Sequence, residues 1–283
     1  REYLVSVFEK GMKDWNLDGF KLDFIDSFRS YPDTPAYSSA MDYSEIQDAV
    51  YALMMEVSRR LQKQNPSLLI EFRQNYIGPQ MRRFGNIFRV EDCPLSGINN
   101  RVGITDLKLI SGSTAVHSDM LMWHKDESPE DVAIQLINNL FATLQISVRL
   151  NEQTEKQKKV LSHYLNFSAN YRNTLQCGTF RAHAPLALYP LLEASDEQVR
   201  ICASYKKDQI IPCPEAASHK ENIFLNGTKA PELTLRLNAP GLFHIRSLNC
   251  FGEITGETEE VLTTGLHTFH AAPGGSLFIF PVK

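Results

Sequence analysis

Between residues 1 and 178 the sequence switches repeatedly from helix-period stretches to short apolar runs with polar ends, and this alternation limits the chain most. Leu4, Phe8, Met12 and Trp15 recur at helical spacing, which predicts a first helix over 1–15 with those side chains inward. Phe20 to Ile25 alternates instead, with Phe20, Leu22 and Phe24 on one face and Lys21, Asp23 and Ile25 on the other. Ser44-Glu45-Ile46-Gln47 reads as a capping box opening a helix that Asn65-Pro66 stops near Gln64. Leu68–Phe72, Asn86–Val90, Ser113–His117 and Ile146–Leu150 read as further strands. Helices are expected over 101–111, from a Ser128 cap with Pro129 behind it, and over 154–175. Strands alternating with helices argue for a parallel sheet with helical crossovers. Polar clusters at strand ends suit a (β/α) barrel, whose site is built from those ends.

After about residue 180 the pattern changes to short runs such as 199–205, 223–225, 233–237, 241–248 and 276–282, separated by Gly, Pro and Asn. That predicts a small antiparallel β domain. The expected fold is therefore α/β, an incomplete (β/α)8 TIM-type barrel over 1–178 followed by an antiparallel β-sandwich over 179–283. A net charge of −4 argues against a nucleic-acid partner held by phosphate neutralisation. No apolar run approaches the ~18–20 residues of a membrane span. The cysteines include no CxxC pair, so neither a zinc cage nor a disulfide framework is indicated, and pairing of Cys202 with Cys213 is disfavoured.

Two strand ends concentrate the chemistry. Lys21 and Asp23 point the same way from a strand expected to be buried, where a structural ion pair is the plain alternative to a functional one. Arg89-Val90-Glu91-Asp92 ends a later strand. Carboxylates from two such ends can stand the roughly 5 to 9.5 Å apart that glycoside hydrolysis uses. Glu71 and Arg73, and His117 and Asp119, mark two more strand ends as candidate substrate contacts. Trp123 with His124 reads either as packing or as an aromatic platform, and Cys93 as a pocket-lining thiol.

Gly19-Phe20-Lys21-Leu22-Asp23 resembles the nucleophile strand of the family 36 α-galactosidases, in the clan shared with family 27. That motif is Lys-x-Asp on the fourth barrel strand, so the resemblance implies Asp23 as nucleophile and Lys21 as a sugar-binding lysine. The Arg89–Asp92 segment falls where the family carries its acid/base, in a Ser-Asp-Asn-Thr-Asp setting on the sixth strand. Asp92 takes that role, with Glu91 as its rival. The implied chemistry is double displacement at terminal α-linked sugars, α-galactosides first, on an oligosaccharide or glycoside substrate and with no metal or organic cofactor. Asp23 is expected to stay ionised beside Lys21, and Asp92 to be held protonated by its surroundings. Arg73 and Arg89 are expected to fix carboxylates or donate to sugar hydroxyls.

The resemblance has one clear departure. The family's fifth strand ends in Glu-x-Cys-Ser-x-Gly-Gly, whereas this chain reads Glu71-Phe72-Arg73-Gln74-Asn75. The sugar pocket is therefore expected to differ, and the hydrolase inference is firmer than the galactose one. The matching strands would be the fourth to the eighth. The chain is thus expected to be a C-terminal portion, inactive alone or completed by a missing N-terminal segment or a second copy. Two other readings compete. Lys21 could form a Schiff base in a lyase, or the chain could be a non-catalytic carbohydrate-binding or scaffold fragment.

Overall fold

The computed structural model describes residues 1–73, 77–92, 96–213, 216 and 218–282. The chain divides into two compact units, Arg1–Asp92 with Ile110–Val116, and Cys93–Leu109 with His117–Lys283.

In the first unit, α1 (Glu2–Asp14) precedes β1 (Gly19–Leu22), α2 (Ile46–Gln64), β2 (Leu69–Phe72) and β3 (Ile87–Arg89). The three strands pair in parallel, Lys21 opposite Glu71 and Phe72 opposite Phe88. The Ala115 amide donates to the Asn86 carbonyl, so the next strand begins beside β3. Asn86 also ties β2 to β3 with its side chain, accepting from the Ile70 amide and donating to the Leu68 carbonyl, each at 2.9 Å. Alternation does the rest. Leu22, Ile70, Phe72, Phe88 and Val90 are buried on one face, and Lys21, Glu71 and Arg89 fall on the other.

The helices follow their apolar periods with two corrections. α1 buries Val5 and Met12, while Leu4 and Trp15 are exposed; Trp15 is the residue that ends the helix, so it leaves the expected stripe. α2 buries Leu53, Met54, Val57 and Leu61 as its period implies, but its N-cap is Glu45 with no side-chain cap bond, so the Ser44 box does not form. Asn65 stops α2 in an extended conformation (ψ 102°), as a residue before proline must.

β1 is shorter than its alternation suggests. It stops at Leu22, Phe24 is left-handed (φ 53°), and Ile25–Ser27 form a 3-10 turn. Phe24 is 62% exposed and not part of the core.

The second unit holds most of α3 (Gly97–Ser111) and β4 (Ala115–Leu121), then α4 (Pro129–Asn139), β5 (Thr143–Ile146), α5 (Glu155–Asn170) and α6 (Arg172–Cys177). β4 runs past its expected end at His117 and pairs in parallel with β5. β5 lies earlier than the expected 146–150, where a 3-10 turn (Leu150–Glu152) stands instead. Ser128 caps α4 as expected, its hydroxyl accepting from the Asp131 amide at 3.1 Å. The single helix expected over 154–175 is broken at Tyr171.

Ten strands follow, β6 (Thr179–His183), β7 (Leu191–Ser195), β8 (Val199–Ser204), β9 (Ile210–Cys213), β10 (Glu221–Asn226), β11 (Glu232–Leu237), β12 (Gly241–Leu248), β13 (Ile254–Leu262), β14 (Gly265–His270) and β15 (Ser276–Pro281). They form a seven-stranded sheet, β13-β12-β15-β10-β8-β7-β6, and a three-stranded one, β14-β11-β9. Most pairs are antiparallel, but β8/β10 and β9/β11 are parallel, which corrects the expectation of a purely antiparallel region. Leu191, Phe224, Phe243 and Leu277 of the larger sheet share one core with Ile211 and Leu235 of the smaller. Cys202 and Cys213 are buried free thiols. The architecture is thus α/β with a parallel sheet, followed by a mixed β region. Among the described residues no helix is long and apolar enough to cross a membrane.

Gly19 sets how closely β1 approaches β2. A Cβ there would come within 1.9 Å of the Leu69 carbonyl oxygen, a backbone atom that cannot yield alone. Gly19→Ala is expected to destabilise the first unit by about 1–3 kcal/mol, read as a lowered denaturant midpoint with an unchanged slope.

Candidate active site

Period-2 alternation brings five polar side chains to one face of the first unit's sheet. Lys21 and Glu71 face each other in register across β1 and β2. Asp23 and Arg73 follow immediately after those strands, and Arg89 ends β3. Asp92 lies three residues on, and an alternating chain of charges results. The Arg73 guanidinium bonds Asp23 through Nη2 and contacts Asp92 through Nη1. Arg89 Nη2 donates to Asp92 Oδ1 at 2.8 Å, and Arg89 Nε stands 3.4 Å from Glu71 Oε1.

Burial is uneven along this chain. The side chains of Arg73 and Arg89 are 5% and 3% exposed, whereas those of Asp23 and Asp92 are 34% and 45% exposed. The guanidiniums are the desolvated members, and the carboxylates reach them from the open side. Two carboxylates on one guanidinium are separated by at most two hydrogen-bond lengths, each about 3 Å, plus the guanidinium's own width. That upper bound lies below the roughly 9.5 Å that separates the most widely spaced carboxyl pairs of glycoside hydrolysis.

The backbone around both acids is unusual. Phe24, just after Asp23, and Glu91, just before Asp92, are left-handed non-glycine residues with φ of 53° and 49°. Each such residue costs about 1–3 kcal/mol and persists only where its surroundings impose it. The Phe24 amide donates to Asp23 Oδ1 at 2.9 Å, and the Phe24 ring lies 5.9 Å from the Arg73 guanidinium carbon. These bends lie just beyond the ends of β1 at Leu22 and β3 at Arg89, beside the acids.

The structure corrects two expectations. Arg73, rather than Lys21, is the main partner of Asp23. Its hydrogen bond holds the Asp23 carboxyl below the usual range against the opposing effect of burial, with the Phe24 amide next and Lys21 a minor contributor. Lys21 and Asp23 are exposed rather than buried. Although Lys21 is largely exposed, the partial loss of water around its ammonium, followed by the charges of Arg89 and Arg73, pushes it below its ordinary value and outweighs Glu71 and Asp23. Asp92 touches two guanidiniums.

The remaining candidates divide. Glu91 is exposed. His117 and Asp119 belong to the second unit, within β4 rather than at its end. There His117 Nδ1 stands 3.2 Å from Gln145 Nε2, and Asp119 is fully buried. Trp123 is packed, its Nε1 donating to Gln153 Oε1 at 2.7 Å, so it offers no open platform. Cys93, Gln74 and Asn75 lie outside the described residues. Among those described, no group of His, Cys, Asp and Glu could hold a metal ion. Arg73 was expected to fix a carboxylate; that it would meet both Asp23 and Asp92 was not visible in the sequence.

No family model matches this chain, and no curated protein matches it. Solved structures share its fold. An α-galactosidase from Lactobacillus brevis matches with 14% identity and a TM-score of 0.56, covering 100% of this chain and 38% of its own. The family 36 α-galactosidase AgaA from Geobacillus stearothermophilus matches with 14% identity and a TM-score of 0.59, covering 99% and 38%. A family 27 β-L-arabinopyranosidase from Geobacillus stearothermophilus gives 12% identity and a TM-score of 0.53, covering 99% and 61%. The chain therefore spans less than two thirds of these relatives. What it has in common with them is a fold found in glycoside hydrolases.

The Asp23–Arg73 pair makes a prediction about titration. A carboxyl whose folded pKa is depressed contributes stability that is present above its unfolded value, about 3.9, and lost as pH falls through the folded value. In Arg73→Gln the Asp23 carboxyl is expected to titrate higher, toward the ordinary range. Carbon-detected NMR of the carboxyl resonances in both proteins measures it, and an unchanged midpoint would show that Arg73 does not hold Asp23.

Proposed function

We propose that this chain is the C-terminal portion of a retaining glycoside hydrolase acting on terminal α-linked sugars, with α-galactosides the first substrates to try. In this reading residues 1–178 form about the fourth to eighth strands of a (β/α)8 barrel, and 179–283 form a β-sandwich. The observation that carries it is the pair of carboxylates, Asp23 and Asp92, drawn from separate parallel strands to one guanidinium. The fold likeness to α-galactosidases supports it.

Asp23 is the nucleophile. Its depressed pKa keeps it charged and able to attack the anomeric carbon, forming a covalent glycosyl–enzyme. Asp92 gives a proton to the departing oxygen, then takes one from the water that releases the sugar. For the first step Asp92 must hold a proton, so its contacts with Arg73 and Arg89 must loosen when substrate enters. Lys21 and Glu71 face the same side and supply a donor and an acceptor for sugar hydroxyls. Glu91 remains the rival acid.

In the longest form of the protein, Asp23→Asn and Asp92→Asn are each expected to lower hydrolysis of a nitrophenyl α-galactoside by about 10²-fold or more. A fluorosugar inactivator should leave its mass on the peptide carrying Asp23. Full activity in both variants would refute the assigned roles.

The depressed pKa of Lys21 favours a second reading, a Schiff-base lyase, because a less basic amine is the better nucleophile at neutral pH. Borohydride reduction in the presence of a carbonyl substrate would then fix a stable adduct on Lys21. The glycosidase reading expects none.

A further inference from the structure

Arg73 spans the gap between Asp23 and Asp92, where a retaining glycosidase must admit the reacting carbon of its sugar. Its side chain is 5% exposed, and its Nε is buried with no hydrogen-bond partner among the described residues. Arg89 is buried beside it. A neutral sugar entering this gap would part a desolvated guanidinium from its carboxylates and offer no charge in return, and an unpaired buried charge is strongly unfavourable.

The charge balance points the same way. Lys21, Arg73 and Arg89 face Asp23, Glu71 and Asp92, and the six cancel when all are ionised. Hydrolysis does not leave them so. Before the first step Asp92 carries the proton it will donate. After that step Asp23 has become an ester and Asp92 is charged. In both stages the cluster holds one positive charge in excess, next to two buried guanidiniums.

Resting on the glycosidase reading above, we propose that the sugar received here carries an anionic group, a carboxylate or a sulfate ester, which replaces the acids on Arg73. A carboxylate suits the planar fork of a guanidinium, binding it through two parallel hydrogen bonds.

The test compares 4-nitrophenyl α-galacturonide with 4-nitrophenyl α-galactoside on the longest form of the protein. Calorimetric binding of galacturonate, galactose 6-sulfate and galactose runs alongside. Wild type is expected to favour the uronide in kcat/KM, and the anionic sugars in affinity, by at least about tenfold, the discrimination that about 1.4 kcal/mol supplies. Arg73→Gln should erase that preference, and Arg73→Lys should keep part of it. The two anionic ligands separate a carboxylate from a sulfate site. Equal handling of galactose and galacturonate by wild type overturns the proposal without any variant having to fold, as does a preference that survives in a folded Arg73→Gln. If neither glycoside is cleaved but galacturonate binds through Arg73, the hydrolase reading fails and the anion site stands. If neither is cleaved and no anionic sugar binds, both fall.

Discussion

Two arginine side chains, Arg73 and Arg89, are almost wholly removed from water on the polar face of a small parallel sheet. Each buried ion carries a desolvation penalty of several kcal/mol that only close, well-directed partners offset. Asp23, Asp92 and Glu71 are those partners. To serve, they must leave their strands at particular points, and the left-handed residues Phe24 and Glu91 are where the chain bends to allow it. In the first unit the two left-handed residues stand beside the acids that pair with these buried guanidiniums.

This cluster also explains why likeness of fold leaves the chemistry open. At 12–14% identity the matched structures share a chain path, and their residues need not share roles. In this chain one buried guanidinium, Arg73, meets two carboxylates that follow separate strands.

Much of the first unit was legible because its signals are local. The buried face of α2, its end at Asn65 and the alternation in β2 and β3 follow from spacing and from proline. Lys21, Asp23, Arg89 and Asp92 were visible as charged residues at strand ends. What misled was extrapolation of a period past its end. Phe24 continued the alternation of β1 on paper, and Trp15 continued the stripe of α1, yet both sit where the element has already stopped. In the mixed β region the runs themselves could be read, but not their partners. The parallel pairing of β8 with β10 joins strands with another strand between them in sequence, a non-local choice that no local pattern encodes.

By itself, then, the sequence determined which residues are apolar at which period, and hence the alternation of helix and strand and the two motifs that carry acids, since side-chain direction along a regular element depends only on its repeat. Tertiary structure decided which charges meet. Arg73 is fifty residues from Asp23 along the chain and bonds it all the same, displacing Lys21 as its main partner. The reason is physical: electrostatic pairing depends on distance and desolvation in space, and both are set only when the strands have taken their register.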